Sequence, residues 1–285
     1  MKLRQFYEDG NVYLGIETEK GIVDVRREAA QRGIAAPATM LEAIRSGEAG
    51  LEVLQSLSEN PGCFANQPIA PAVTGCEKVL CIGLNYLQHA KECNLPIPPE
   101  PVLFNKFPSA LSAHGDSVYL DPRYTEYDYE AELVAVIGKP CRSVSEEEAL
   151  DYVFGYTCGN DLSTRELQFR RGNQWVLSKS FDGFAPVGPC VVTADSINGQ
   201  DLAISSVVNG EQRQNSRTSD MIFTIAQIIA DLSSHFTLMP GDLIFTGTPQ
   251  GVMHGYPADQ KNWLKPGDSV EVTIEGIGTL RTTFR

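Results

Sequence analysis

From residue 78 onward the chain breaks into short apolar or alternating runs, each closed by a turn. KVLCIG, SVYL, ELVAVIG, CVVTA, AISSVVNG, DLIFTG and SVEVTIEGIGTLRTTF are the strand candidates, with Gly, Asn, Asp and Pro between them. Two clear helical periods interrupt them. Residues 145–153 open with a capping-box pair, Ser145 and Glu148. Residues 219–236 place apolar side chains at 221, 222, 225, 228, 229 and 232. Strands and helices do not alternate regularly, so a doubly wound parallel sheet is disfavoured. The pattern predicts an α+β fold that is mainly β.

The first 60 residues read as a small unit of their own. LRQFYE, NVYLGIET and GIVDVRR are short strands separated by Asp-Gly and Lys-Gly turns, and a helical stretch follows over 39–57. ENPGCFANQPIAPAV is a connector by its Pro, Gly and Asn content. The expected organisation is a small N-terminal α+β accessory domain at 1–70 and a larger domain at 71–285.

Of the 285 residues 42% are hydrophobic and 21% charged, enough apolar material for a large core and against global disorder. The net charge of −13 argues against nucleic acid or an anionic membrane as partner, since both need a cationic footprint. MKLRQFYEDG has no apolar signal region, and no apolar run approaches the ~18 residues of a membrane span. The seven cysteines are odd in number and form no CxxC. They read as reduced thiols of a cytoplasmic protein, not as a disulfide framework or a zinc site.

Three segments are chemically unusual. In DYEAELVAVIG, Glu130 and Glu132 share one strand face at the mouth of an apolar run. In GYTCGNDLSTRELQ, Asp161 ends a strand-like run, with Arg165 and Gln168 just after it. In LSKSFDGFAPVGP, Lys179 stands among small and apolar residues. Three carboxylates without thiolate or paired histidines select a hard cation, Mg²⁺ first, then Mn²⁺ or Ca²⁺. The plainer reading of Glu-x-Glu is a solvated strand face with Lys or Arg across the sheet. In GLNYLQHAKE, His89 and Glu92 are three apart, which on a helical turn makes a base and its orienting carboxylate. The plainer reading there is an exposed turn. His114, His235 and His254 read as surface or packing residues, and Trp175 and Trp263 as core or interface. TGTPQG lacks the Gly-Lys-Ser/Thr of a phosphate loop, and no Gly-x-Ser-x-Gly occurs.

Taken in order, IGLNYLQHAKE, PVLFNKFPSAL, DYEAELVAVIGK, VFGYTCGNDLSTRELQ, WVLSKSFDGFAPVGP, VNGEQRQ, LMPGDLIFTGTPQGV and LKPGDSVEVTIEGIGTL resemble the fumarylacetoacetate hydrolase superfamily over about 78–284. The resemblance implies a mixed β roll or sandwich with the site at its open end, and a homodimer. It implies Mg²⁺ or Mn²⁺ on Glu130, Glu132 and Asp161. It implies a His89–Glu92 dyad that activates water on a segment ordered by substrate, with Lys179 as a further catalytic group. Tyr86, Arg165, Gln168 and Thr248 are the implied substrate contacts. The chain departs from the usual pattern after TGTPQGV, where Met253-His254-Gly255-Tyr256 replaces a further glycine and short turn.

A small anionic 2-oxo acid fits these groups. Hydrolysis of a 2,4-dioxo acid ranks first, because the complete His89–Glu92 pair serves water activation. An oxaloacetate-type decarboxylase, a 2-hydroxymuconate-type isomerase, and a non-catalytic ligand-binding protein are the alternatives.

Overall fold

The computed structural model of the chain describes residues 1–170 and 174–285. The N-terminal meander is β1 (Lys2–Glu8), β2 (Asn11–Thr18) and β3 (Gly21–Asp24), followed by α1 (Val25–Arg32), α2 (Met40–Ser58) and β4 (Phe64–Ala65). Next come β5 (Val79–Gly83), α3 (Leu87–Glu92), β6 (Val102–Lys106), and the short β7 (Leu111–Ser112), β8 (Ser117–Val118) and β9 (Tyr127–Asp128). The central hairpin is β10 (Ala131–Ile137), α4 (Glu146–Ala149) and β11 (Val153–Asn160). After it lie β12 (Ser163–Thr164), α5 (Arg165–Arg170), α6 (Val176–Lys179) and β13 (Ala185–Thr193). The chain closes with β14 (Ala203–Val208), β15 (Glu211–Arg217), α7 (Ile225–His235), β16 (Leu243–Phe245), β17 (Ser269–Ile274) and β18 (Gly278–Phe284).

One sheet runs β4-β3-β2-β1-β13-β11-β10-β16-β5-β6, with β7 beside β13, and a second runs β15-β14-β17-β18-β8. Most pairs are antiparallel, but β16 pairs β5, β18 pairs β8 and β13 pairs β7 in parallel, so the fold is a mixed, mainly β, α+β architecture. Strand β1 joins β13 through Lys2 opposite Val192, so the N-terminal unit extends the large sheet.

The apolar run of β10 is continuous because both of its faces are covered. Leu133, Ala135 and Ile137 pack with the second sheet and α7, whereas Val134 and Val136 pack with the N-terminal strands and helices. Glu132 points to the same face as Val134 by strand alternation. Where the run ends, that face changes from core to site.

Two helices are shorter than their periods suggest. The capping box at Ser145 and Glu148 forms as expected, but the helix stops at Ala149, a 3₁₀ turn spans Leu150–Tyr152, and Val153 opens β11. In the 219–236 stretch the helix begins at Ile225, because Thr224 and Gln227 form the capping box that fixes its first turn. No helix among the described residues is long and apolar enough to cross a membrane.

One link between the two sheets is a buried amide. Gln214 of β15 accepts from the Ala131 N–H at 2.9 Å and from Ser206 Oγ at 2.9 Å, and its Nε2 donates to Thr248 Oγ1 and to the Pro249 carbonyl, each at 2.8 Å. Gln214→Leu strands at least two buried backbone groups. Its expected cost is about 3 kcal/mol, since each orphaned group loses ~1–3 kcal/mol, and urea unfolding of the variant measures it.

Candidate active site

Hairpin β10–β11 assembles the carboxylates. Glu132 faces Gly159 and Ala131 faces Asn160 across the ladder. The Asn160 Oδ1 accepts from the Glu130 N–H at 3.1 Å, and the Asp161 N–H donates to the Glu130 carbonyl at 2.9 Å. Carboxylate oxygens of Glu130, Glu132 and Asp161 lie within 4.8 Å of one another. Their exposures are 5%, 2% and 0%, which overturns the reading of a solvated strand face.

Three cations are packed against them. Lys179 Nζ donates to Glu130 Oε2 at 2.6 Å and to Asp161 Oδ2 at 2.8 Å. Lys106, buried on β6, donates to Asp161 Oδ1 and to the Leu162 carbonyl. Arg165 reaches Asp128 Oδ2 at 2.9 Å, Glu130 Oε1 at 2.5 Å and Gln168 Oε1 at 2.8 Å. Asp128, Glu130, Glu132 and Asp161 thus face Lys106, Lys179 and Arg165, four acids against three cations.

The imbalance falls on Glu132, whose hydrogen-bond donor in this set is the Gly247 N–H at 2.7 Å. Burial, then the charges of Asp161 and Glu130, push its carboxyl well above the ordinary range. Glu130 goes the other way. Burial opposes its charge, but Lys179 and Arg165 outweigh burial and hold it down at about 2. A buried all-oxygen set with one uncompensated carboxylate fits a hard divalent cation. Glu130, Glu132 and Asp161 are the residues that would hold it.

The sequence pair His89–Glu92 is also real. His89 is buried, and its Nδ1 lies 2.8 Å from Glu92 Oε1, which corrects the reading of an exposed turn. The Glu92 carboxylate is itself fixed by the Gly251 N–H at 2.9 Å. With Nδ1–H given to Glu92, Nε2 is the nitrogen left to move a proton. Burial favours the neutral ring, but contacts with Cys93 and Glu92 and the charge of Glu130 raise His89 to about 9. Positive charge added beside Glu130 lowers it again.

A cavity of about 350 Å³ joins these groups, with His89, Glu130, Glu132, Arg165, Gln168, Lys179 and Thr248 in its wall. Thr248 Oγ1 donates to the Ala131 carbonyl at 2.9 Å. Tyr86 is the exception. It is buried, lies outside the cavity wall, and its hydroxyl has no hydrogen-bond partner among the described residues.

Sequence reasoning left out several wall or support residues. Lys106 carried a weak signal, a lysine closing the strand VLFNK. Asp128 holds the Met253 and His254 N–H groups at 2.8 and 2.9 Å as well as Arg165; its signal was the period-2 spacing it shares with Glu130 and Glu132. His254 and Trp175 stand in the cavity wall, His254 against Phe169 and Trp175 edge-on to Phe104. Burial, then Arg165 and Lys261, lower His254 to about 4.

Fold and site together define a β-rich enzyme with a carboxylate-walled active cavity. The chain belongs to the fumarylacetoacetate hydrolase family: the family model described as fumarylacetoacetate (FAA) hydrolase C-terminal matches residues 78–285. It is 39% identical over 292 residues to human oxaloacetate tautomerase FAHD2A, mitochondrial, covering 98% of this chain and 90% of that one. It is 49% identical over 210 residues to 2,4-didehydro-3-deoxy-L-rhamnonate hydrolase of Sphingomonas sp. (strain SKA58), covering 73% of each. The solved structure of maleylpyruvate hydrolase from Sphingobium sp. SYK-6 with manganese (II) ion and pyruvate superposes with a TM-score of 0.79 at 31% identity, covering 100% of this chain and 98% of that one.

Two outcomes follow from the site's charges. Mn²⁺ at a hundred times its Kd is expected to stabilise the fold by ~2.7 kcal/mol, and Asp161→Asn to remove most of that gain in thermal melts. For His89 the folded value near 9 lies above the unfolded value of about 6.5. Its stabilisation is therefore complete below pH ~6.5 and lost as the pH rises through 9, roughly 3 kcal/mol in all. Urea midpoints of metal-free protein from pH 6 to 10 should show this decline, and His89→Gln should flatten it.

Proposed function

We propose that the chain hydrolyses 2,4-dioxo acids, cutting between carbons 3 and 4 to give pyruvate or another 2-oxo acid and a carboxylic acid. The observation that carries this reading is buried His89, held by half-buried Glu92, in the wall of the cavity that Glu130, Glu132 and Lys179 also line. Glu92 orients the ring, and His89 takes a proton from water through Nε2. The hydroxide adds to carbon 4, the carbon 3–carbon 4 bond breaks, and its electrons pass into the enolate of the 2-oxo acid. Lys179, held between Glu130 and Asp161, sets its positive charge where that enolate develops. A proton returned to carbon 3 completes the 2-oxo acid. Mg²⁺ or Mn²⁺, when bound by Glu130, Glu132 and Asp161, supplies Lewis-acid polarisation of the substrate's oxygens.

A second reading is keto–enol tautomerisation of oxaloacetate. The human tautomerase, matched along 98% of this chain, favours it. In that reading His89 carries a proton between carbon 3 and the 2-oxygen, and no water adds.

Chelator-stripped protein incubated with acetylpyruvate or enol-oxaloacetate, with and without Mn²⁺ or Mg²⁺, separates the two. The expected result is metal-dependent pyruvate plus acetate, with kcat lowered ~10²–10⁴-fold in His89→Ala. Acceleration of oxaloacetate ketonisation alone, without acetate from acetylpyruvate, would replace the first reading with the second.

A further inference from the structure

Cys93 follows Glu92 directly at the end of α3 and sits half-buried in the cavity wall. Its Sγ is 3.9 Å from His89 Nδ1, and ligand atoms of His89, Glu92 and Cys93 all lie within 4.8 Å of one another. This set brings a nitrogen, an oxygen and a sulfur together, at positions i, i+3 and i+4 of one helical turn. It differs in chemistry from the all-oxygen centre nearby.

We propose that His89, Glu92 and Cys93 form a second metal site, selective for a borderline-soft cation such as Zn²⁺, whose occupation inhibits the enzyme. Tetrahedral zinc with bonds of ~2.0–2.1 Å to nitrogen or oxygen and ~2.3 Å to sulfur separates its ligands by ~3.4–3.6 Å. The observed Nδ1–Sγ separation is 3.9 Å and the Nδ1–Oε1 separation 2.8 Å, so the sulfur must approach the nitrogen by ~0.3 Å, and Glu92 Oε1 must pivot off the Nδ1 axis that zinc takes, about the Oε2 that Gly251 holds. Glu92 is already anchored by Gly251, which keeps one ligand in place. Three protein ligands leave the fourth position to water or a substrate carboxylate. Mg²⁺ and Mn²⁺ prefer the oxygen set, whereas thiolate and imidazole prefer zinc.

Inhibition follows from the proton inventory. In the metal-free pair Nδ1 carries the proton given to Glu92, and Nε2 is free. Zinc takes the Nδ1 lone pair, so the proton of a neutral ring moves to Nε2, and the ring no longer accepts one. The Cys93 thiol releases its proton to solvent as the Zn–S bond forms, and a charged His89 releases one more. No oxidant or reductant is involved. Cysteine spacing alone gave no hint of this site, because its other two ligands are not cysteines.

The test uses Mg²⁺-saturated enzyme, so that the carboxylate centre is occupied, titrated with Co²⁺ and then Zn²⁺. One Co²⁺ per chain is expected to give thiolate-to-cobalt charge-transfer absorption in the near ultraviolet, which an all-oxygen site cannot produce. Zn²⁺ should bleach the band. Cys93→Ser should abolish it and raise the zinc midpoint for inhibition about tenfold or more, measured against that variant's own zinc-free rate. Cys93→Ala, with folding checked by circular dichroism, serves if the serine variant does not fold. No band in the wild type, a band unchanged in the variants, or equal zinc inhibition in wild type and variants would overturn the proposal. The absorption needs no turnover, so it stands or falls separately from the proposed reaction, and the inhibition needs only that His89 moves a proton.

Discussion

An excess of buried negative charge governs this molecule. Four carboxylates share one end of the fold with three cationic side chains, and Glu132 is the acid left over. Burying charge is tolerable only with partners. Lys106 and Lys179 therefore each take one oxygen of Asp161, and Arg165 spans Asp128 and Glu130. Such an arrangement is costly to keep for stability alone, since an apolar core of the same volume serves equally well. Its value lies in a place prepared for further positive charge.

Much of this was legible in the sequence because strand geometry is simple. Period-2 alternation puts Glu130 and Glu132 on one face, and a continuous apolar run announces a strand covered on both sides. His89 and Glu92 meet through helical spacing. What escaped were contacts between residues far apart in the chain. Gln214 reaches Ala131 across 83 positions, and Asp128 reaches Met253 across 125. Neither residue type is unusual on a surface, and the partners that bury them lie far along the chain. The 219–236 helix was misread at its start for a local reason. Met221 and Ile222 continue the apolar period, but the Thr224–Gln227 capping box fixes the first turn after them.

The two proposed readings, hydrolysis and tautomerisation, share one centre because both pass through an enolate of a 2-oxo acid. They differ in what His89 does with its proton and whether water reaches carbon 4. About 350 Å³ of cavity with Phe104, Phe169, Trp175 and His254 in its wall exceeds what a carboxylate and a 2-oxo group need. That space accommodates an acyl tail, which is the feature separating an acylpyruvate from oxaloacetate.

The turn 246–251, which fails as a phosphate loop, links the halves of the site. Gly247, with φ of +100° and Asn85 too near for any Cβ, turns its N–H onto Glu132. Thr248 bridges the Ala131 carbonyl and Gln214. Gly251 holds Glu92, and a Cβ on neighbouring Gly255 would fall 2.6 Å from that carboxylate's carbon. A single turn therefore carries contacts to a carboxylate of the proposed cation site and to the partner of the proposed base, His89. Displacing it disturbs both at once, so the spacing of Glu132 and Glu92 is set by backbone N–H groups of one turn. Rigid positioning of this kind is what a reaction through a short-lived enolate requires.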